Sequence, residues 1–516
     1  MIGHLSNIWY LVLILLPVVG SIGIFVYPFK KRMHMCVYTE AITVMTSVLS
    51  FSVLLNRPEK PIDIVTFVSK FSISFGFDGM GTIFGALISF LWPLATLYAF
   101  EYMEHEAGAN TAKESTFFGF YVMTYGVTLG IASASNLLTM YIFYEMLTLV
   151  TVPLIVFTLS REATLATRTY LYYSLGGAAF GFITLVFLSN YGSSLDFVLG
   201  GILDYNTALN AVEVSEGTIS GAMQSLPVGL MRLVYLFGFF GFGVKAAVFP
   251  LSSWLPKAGV APTPVTALLH AVAVVKAGAF AILRITYYSF GTQLLKDSFA
   301  QYIPMAFAIF TIIYGCSQAV RERHIKRRLA YSTVSNLSYI LFGCLLMSPA
   351  GLVGALTHML FHGIMKICSF FCAGAVIAGT GREYVYEMDG LGKKMPFTFA
   401  FFTVSSFSLM GVPFLCGFVS KWNLAQAAVD SQNTMAYFGV GALLVSALLT
   451  AIYMLQIVIR AFFPEKGFNY SAIDRYHDPG WKMLLPLCIF AVLMVVLGIF
   501  GNVITSLLND VASGKF

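Results

Sequence analysis

Residues 238–284, GFFGFGVKAAVFPLSSWLPKAGVAPTPVTALLHAVAVVKAGAFAILR, read as two membrane helices joined by a proline-studded turn. Lys245, His270 and Lys276 stand inside otherwise apolar runs. An ammonium near the bilayer centre costs about 2.5–3.5 kcal/mol on insertion scales, so each must face protein or water and have a partner. Movement of an ion is the first functional reading.

The composition agrees. With 58% hydrophobic and 10% charged residues and a mean hydropathy of +0.81, the chain cannot present a soluble surface. The net charge of +6 invites a nucleic-acid reading. The basic residues instead fall mostly in short connectors between apolar runs, where orientation signals lie, and nucleic acid is excluded as a partner.

Apolar runs near 8–27, 35–55, 79–100, 116–134, 136–158, 168–189, 229–249, 265–289, 301–320, 329–348, 351–379, 397–427, 436–462 and 482–508 make about fourteen spans, each close to the length a bilayer needs. The first run is followed by Lys30, Lys31 and Arg32 with no small-residue cleavage site, so it is a retained helix and not a signal peptide. Lys and Arg in alternate connectors divide nineteen to seven. That places the richer set in the cytoplasm and both termini outside. Of two longer outer connectors, 56–77 carries the alternation of a short hairpin (IDIVTFVSKFSISFGF), and 190–228 is polar. The seven cysteines include no CxxC pair and read as small core residues, with no metal site.

Glu145 lies about ten residues from either end of the fifth span, close to mid-membrane at about 1.5 Å per residue. A carboxylate there either is neutral and packs or pairs with an ammonium, for which Lys245 is the candidate. Pro250, five residues after Lys245, interrupts the seventh span just beyond that charge. His270 and Lys276 on the eighth are about 240° apart, so they link neighbouring helices sideways and do not form a stripe. His358, His362 and Lys366 stand at i, i+4 and i+8 in the eleventh span, a stripe about 12 Å long suited to a proton relay. In the twelfth, Gly411 and Pro413 form a second break ahead of Lys421.

The fold expected is an all-α polytopic membrane protein with two inverted five-helix repeats and two proline-broken helices. Residues 1–112 hold three helices and the outer hairpin, 113–290 the first repeat, 291–465 the second and 466–516 the last helix.

The runs VKAAVFPLSSWLPKAGVAPTPVTALLHAVAVVKAGAF, HIKRRLAYSTVSNLSYILFG, HMLFHGIMKICSFFCAGAV and GVPFLCGFVSKW, with the early FGFDGM, resemble the antiporter-like subunits of respiratory complex I. The resemblance extends to Mrp-type sodium/proton antiporters and energy-converting membrane hydrogenases, and it covers spans three to thirteen. It implies that Glu145 and Lys245 form the ion pair of a first half-channel. Lys276 is then the link to the centre, His358, His362 and Lys366 the central relay, and Lys421 the terminal lysine toward the outer side. A lysine at 421, where some relatives carry glutamate, is similar to the Mrp D-like and hydrogenase-like members, and the chain length resembles a middle subunit and not the distal one.

The function implied is a proton-translocating, sodium-coupled or proton-only, membrane subunit of a multisubunit complex in a prokaryotic plasma membrane. It would carry no redox catalysis and no cofactor of its own. Iron–sulfur, flavin or nickel–iron centres would sit on peripheral redox subunits, and its neighbours would be lipid and other membrane subunits, homologous ones included. The alternative is a stand-alone secondary transporter, for which a substrate-sized cavity would be the sign.

Overall fold

The computed structural model describes residues 8–58, 60–68, 70–107, 111–203 and 227–515. Its apolar runs satisfy their backbone groups as helices, which inside a bilayer need no outside partner. The N-terminal part is α1 (Ile8–Val26), α2 (Arg32–Leu55), the antiparallel hairpin β1 (Ile62–Val68) and β2 (Phe71–Phe75), and α3 (Gly79–Ala107). The hairpin is held against the next loop by Asn136. Its side-chain amide donates to Ser72 O at 2.9 Å, while its carbonyl oxygen caps a helix by accepting from Thr139 N at 2.8 Å.

A first group of helices follows: α4 (Thr111–Ser133), α5 (Leu137–Ile155), α6 (Arg161–Tyr191), α7 (Val228–Gly243), α8 (Thr263–Ala271) and α9 (Val274–Arg284). A second group is α10 (Phe299–Arg321), α11 (Ile325–Leu345), α12 (Pro349–Thr380), α13 (Pro396–Met410), α14 (Cys416–Asp430) and α15 (Thr434–Phe462). The chain continues with α16 (Trp481–Ile499) and α17 (Gly501–Ala512). The last expected span is thus divided at Phe500, and most of the polar outer connector, 204–226, lies outside the described residues.

Among the described residues eleven helices are long and apolar enough to cross a membrane. The three expected spans outside that set are α7, the α13–α14 pair and α11. The first two are short, and α11 carries Lys326, Arg327, Arg328 and a run of Ser, Thr and Asn. Burial sorts the helices into an inner file and a rim. The apolar window of residues 263–290 is wholly buried and that of α12 is 89% buried, against 33% for α6 and α16. α12 is the axis, packed on α3, α8, α11, α13, α14, α16 and α17. Side chains on its inner faces are therefore removed from lipid.

Candidate ion-relay site

α7 stops at Gly243, before Lys245, whereas the sequence places the interruption after it, at Pro250. Two forces combine here. Gly241 and Gly243 weaken the helix from one side, and Pro250 supplies no N–H and keeps Phe249 out of the helical region from the other. The lysine consequently sits on irregular backbone. The carbonyl of Val244, freed by the break, accepts from Trp254 Nε1 at 2.8 Å.

Lys245 is 1% exposed, and its Nζ donates to the backbone oxygen of Tyr144. The same ammonium lies 3.3 Å from the centre of the Tyr144 ring and 3.8 Å from Glu145 Oε1. That carboxylate oxygen has no hydrogen-bond partner among the described residues. Glu145 and Lys245 are thus brought together as an ion pair without a hydrogen bond, and the neighbouring tyrosine makes the closer contacts.

The eighth span is also broken, which the sequence does not announce. Val272 N and Ala273 N both bond to Leu268 O, at 3.1 and 2.9 Å, and Ala273 has φ −85° and ψ −83°. His270 therefore lies in the last turn of α8 and Lys276 in the first turn of α9, so the rotation calculated for one continuous helix does not hold. Lys276 Nζ reaches across to His362 Nδ1 at 2.6 Å. His270 is buried with both ring nitrogens unpartnered among the described residues, its ring 4.9 Å from that of Phe370.

On α12 the expected stripe divides. The rings of His358 and His362 stack with centroids 5.7 Å apart, and His358 Nδ1 lies 2.9 Å from Ser420 Oγ. Lys366 turns away and donates to Ser332 Oγ at 2.6 Å and Leu329 O at 3.1 Å, both on α11. The break between α13 and α14 spans 411–415, with Gly411 left-handed at φ +92° and Pro413 inside it. Lys421 folds back across that break to donate to Leu409 O at 2.6 Å and Met410 O at 3.1 Å. Those carbonyls are the unpaired last turn of α13, the end of a helix that attracts cations.

Sequence reasoning passed over several groups. Tyr144 and Ser332 hold lysines but are ordinary residues in a membrane helix, with no signal of their own. Arg284, one of the seven basic residues of the outer set, is 1% exposed and paired with both carboxylate oxygens of Asp78, with Nη2 to Oδ1 at 2.7 Å. Burial pushes the Asp78 carboxyl up, and the Arg284 charge and its hydrogen bonds outweigh this and hold it below the usual value. The FGFDGM run contained that signal. Glu40 of α2, half-buried, has one carboxylate oxygen without a partner among the described residues.

Buried amines at interrupted helices, in a bundle whose inner file is shut off from lipid, define a multi-pass membrane protein of the ion-translocating type. The chain belongs to the NADH:quinone oxidoreductase/Mrp antiporter transmembrane family, whose model matches residues 134–450. It is similar to NADH-quinone oxidoreductase subunit N of Desulforudis audaxviator, 30% identical over 433 residues covering 81% of this chain and 80% of that one. It is also similar to subunit L of Rickettsia bellii, 27% identical over 98% of this chain and 76% of the relative. Among solved structures, a chain of the archaeal membrane-bound sulfane sulfur reductase superposes with a TM-score of 0.81 at 22% identity, covering 99% of this chain and 98% of that one. A chain of the Mrp complex from Dietzia sp. DQ12-45-1b superposes at 0.79 with 19% identity, covering 98% and 97%. These likenesses extend the shared fold over nearly the whole chain.

Proposed function

We propose that the chain carries protons through the membrane as one subunit of a larger complex. Its working line would be Glu145, Lys245, Lys276, His362, His358 and Lys421. The observation that carries this reading is the direct Lys276–His362 contact, a titratable pair joining the two helix groups at the centre of the bundle. Breaking the Glu145–Lys245 pair would change how tightly Lys245 holds its proton and push the next proton along. Moving one charge against 100 mV needs about 2.3 kcal/mol, within reach of an ion pair made and broken out of water.

The relatives are subunits of NADH-quinone oxidoreductases, and the two similar structures come from membrane complexes. We take other membrane subunits as partners and a prokaryotic plasma membrane as the location. Redox centres would belong to those partners, and sodium coupling remains part of the reading through the Mrp likeness. Against a stand-alone transporter, four cavities of 390–740 Å³ are lined by rim and connector residues such as Lys296, Asn433, Glu465 and Lys257, and one of 240 Å³ lies beside Asp78 and Arg284. No relay residue lines any of these.

The test is proton uptake into vesicles holding the purified complex. Lys245→Ala is expected to lower the rate at least tenfold while the subunits still co-purify. Wild-type uptake by that variant would refute the assignment.

A further inference from the structure

Lys366 makes its hydrogen bonds away from the histidines, and the residue it meets begins a second buried file. Tyr453 OH lies 2.7 Å from Ser332 Oγ and 3.2 Å from Thr450 Oγ1. Cys316 Sγ follows at 3.8 Å from Thr450 Oγ1 and 2.9 Å from Ser446 Oγ, and Ser446 Oγ is 2.6 Å from Tyr339 OH. Ser335 braces the middle, 3.1 Å from the thiol and 3.2 Å from Ser446 Oγ. Every one of these side chains is at most 1% exposed. The Tyr339 ring then lies 5.5 Å from Lys421 Nζ and 5.0 Å from the His358 ring.

The pattern is built by two facing stripes. Ser332, Ser335 and Tyr339 stand at i, i+3 and i+7 on α11, and Ser446, Thr450 and Tyr453 at i, i+4 and i+7 on α15, each set on one helix face. Cys316 of α10 bridges them. Hydroxyls that only glued helices together would have no reason to start at one intramembrane amine and finish beneath another. The histidine line, by contrast, has unpartnered Nε2 atoms on both His358 and His362 among the described residues.

We propose that this hydroxyl and thiol file is a second proton path, joining Lys366 to Lys421 without passing through His358 or His362. It rests on the proton-carrying reading above. Tyr453 has one hydroxyl proton and two oxygen neighbours, so it donates one bond and accepts the other, and the file can reverse its sense. A proton leaving Lys366 Nζ bonds to Ser332 Oγ, whose own hydroxyl proton moves to Tyr453. The exchange repeats through Thr450, Cys316 and Ser446 to Tyr339. Lys421, rotated off the Leu409 and Met410 carbonyls, accepts the proton of Tyr339 OH. One proton has left Lys366, one has arrived at Lys421, and each O–H or S–H along the file has been replaced by another.

The experiment compares Cys316→Ala, Cys316→Ser, Tyr453→Phe and Lys245→Ala in the vesicle assay, with subunit co-purification and thermal midpoint measured for each. Introduced into His358→Ala, which closes the histidine line, Cys316→Ala and Tyr453→Phe should slow uptake tenfold or more with unchanged assembly and midpoint, while Cys316→Ser, which keeps a transferable proton, should stay within twofold of His358→Ala alone. Abolished uptake in His358→Ala alone, or no further loss when Cys316→Ala or Tyr453→Phe is added to it, overturns the file. Equal loss in Cys316→Ala and Cys316→Ser also overturns it, because size and not the proton would then matter. In those cases a dead Lys245→Ala leaves the proton-carrying reading in place, whereas an active one removes that reading as well.

Discussion

An ammonium inside a membrane bundle has to be held by something, and Lys245, Lys276, Lys366 and the half-buried Lys421 are held differently. Lys245 has a backbone carbonyl, an aromatic face and a carboxylate at 3.8 Å. Lys276 has an imidazole, Lys366 a hydroxyl and a carbonyl, and Lys421 two carbonyls of a helix end. Only one of the four has a carboxylate within salt-bridge distance among the described residues, so a proton on one lysine raises the cost of a proton on the next. In the proposed relay that mutual repulsion would let charge be passed along and not stored. Tyr144 gives the sharpest check of how Lys245 is held. Tyr144→Phe keeps the backbone oxygen and the ring and should transport within twofold of wild type. Tyr144→Leu removes a cation–π contact worth about 0.5–2 kcal/mol and should change the uptake rate by about 2- to 30-fold, measured in the same vesicles. The lysines and histidines stand out in the sequence because a charged or titratable group in an apolar run is costly unless it is partnered, although a histidine such as His270 can also serve as a core residue. Tyr144 and Ser332 do not, since what recruits them is an ammonium arriving from another helix.

The breaks are where helices turn into sites, and glycine lets the backbones come close there. A Cβ on Gly278 of α9 would lie 2.5 Å from Ala246 N and 2.9 Å from Lys245 Cβ, and one on Gly417 of α14 would lie 1.8 Å from Ser408 O. Gly278→Ala should therefore displace the Lys245 segment from α9. The expected result is uptake reduced at least fivefold, with a lowered thermal midpoint because overpacking costs about 1–3 kcal/mol. Gly411→Ala acts by backbone strain, its φ of +92° being hostile to a side chain, and its new Cβ would meet Lys421 Cδ at 3.1 Å. Gly411→Asn, which tolerates left-handed backbone better, should retain more of the midpoint. The proline and glycine breaks near Lys245 and Lys421 are foreseeable from the sequence, though the first begins before its lysine and runs on through Pro250. The break at Val272 and Ala273 is not. HAVAVVK contains neither glycine nor proline, so that bend is imposed by packing around a fully buried segment and leaves no local mark.

Over the whole molecule, the two ends of the proposed relay would have to open to opposite sides, so the proposed function depends on which face is the cytoplasm. The expected orientation rested on nineteen basic residues against seven, and three of these prove to be buried and bonded within the protein. Lys326 donates to Ala261 O, Arg328 to Tyr453 O and Gln456 Oε1, and Arg284 to Asp78. Setting them aside leaves seventeen against six, so the bias survives. It predicts the β1–β2 hairpin outside and the connector before α11 inside. Thr66 and Arg323 are exposed representatives of the two faces. With the exposed Cys488 replaced by serine, Thr66→Cys should react with a membrane-impermeant maleimide in intact cells. Arg323→Cys should react only after the membrane is opened. The opposite pattern would invert the molecule, turning Lys421 toward the cytoplasm and reversing the side from which each half of the relay takes its protons.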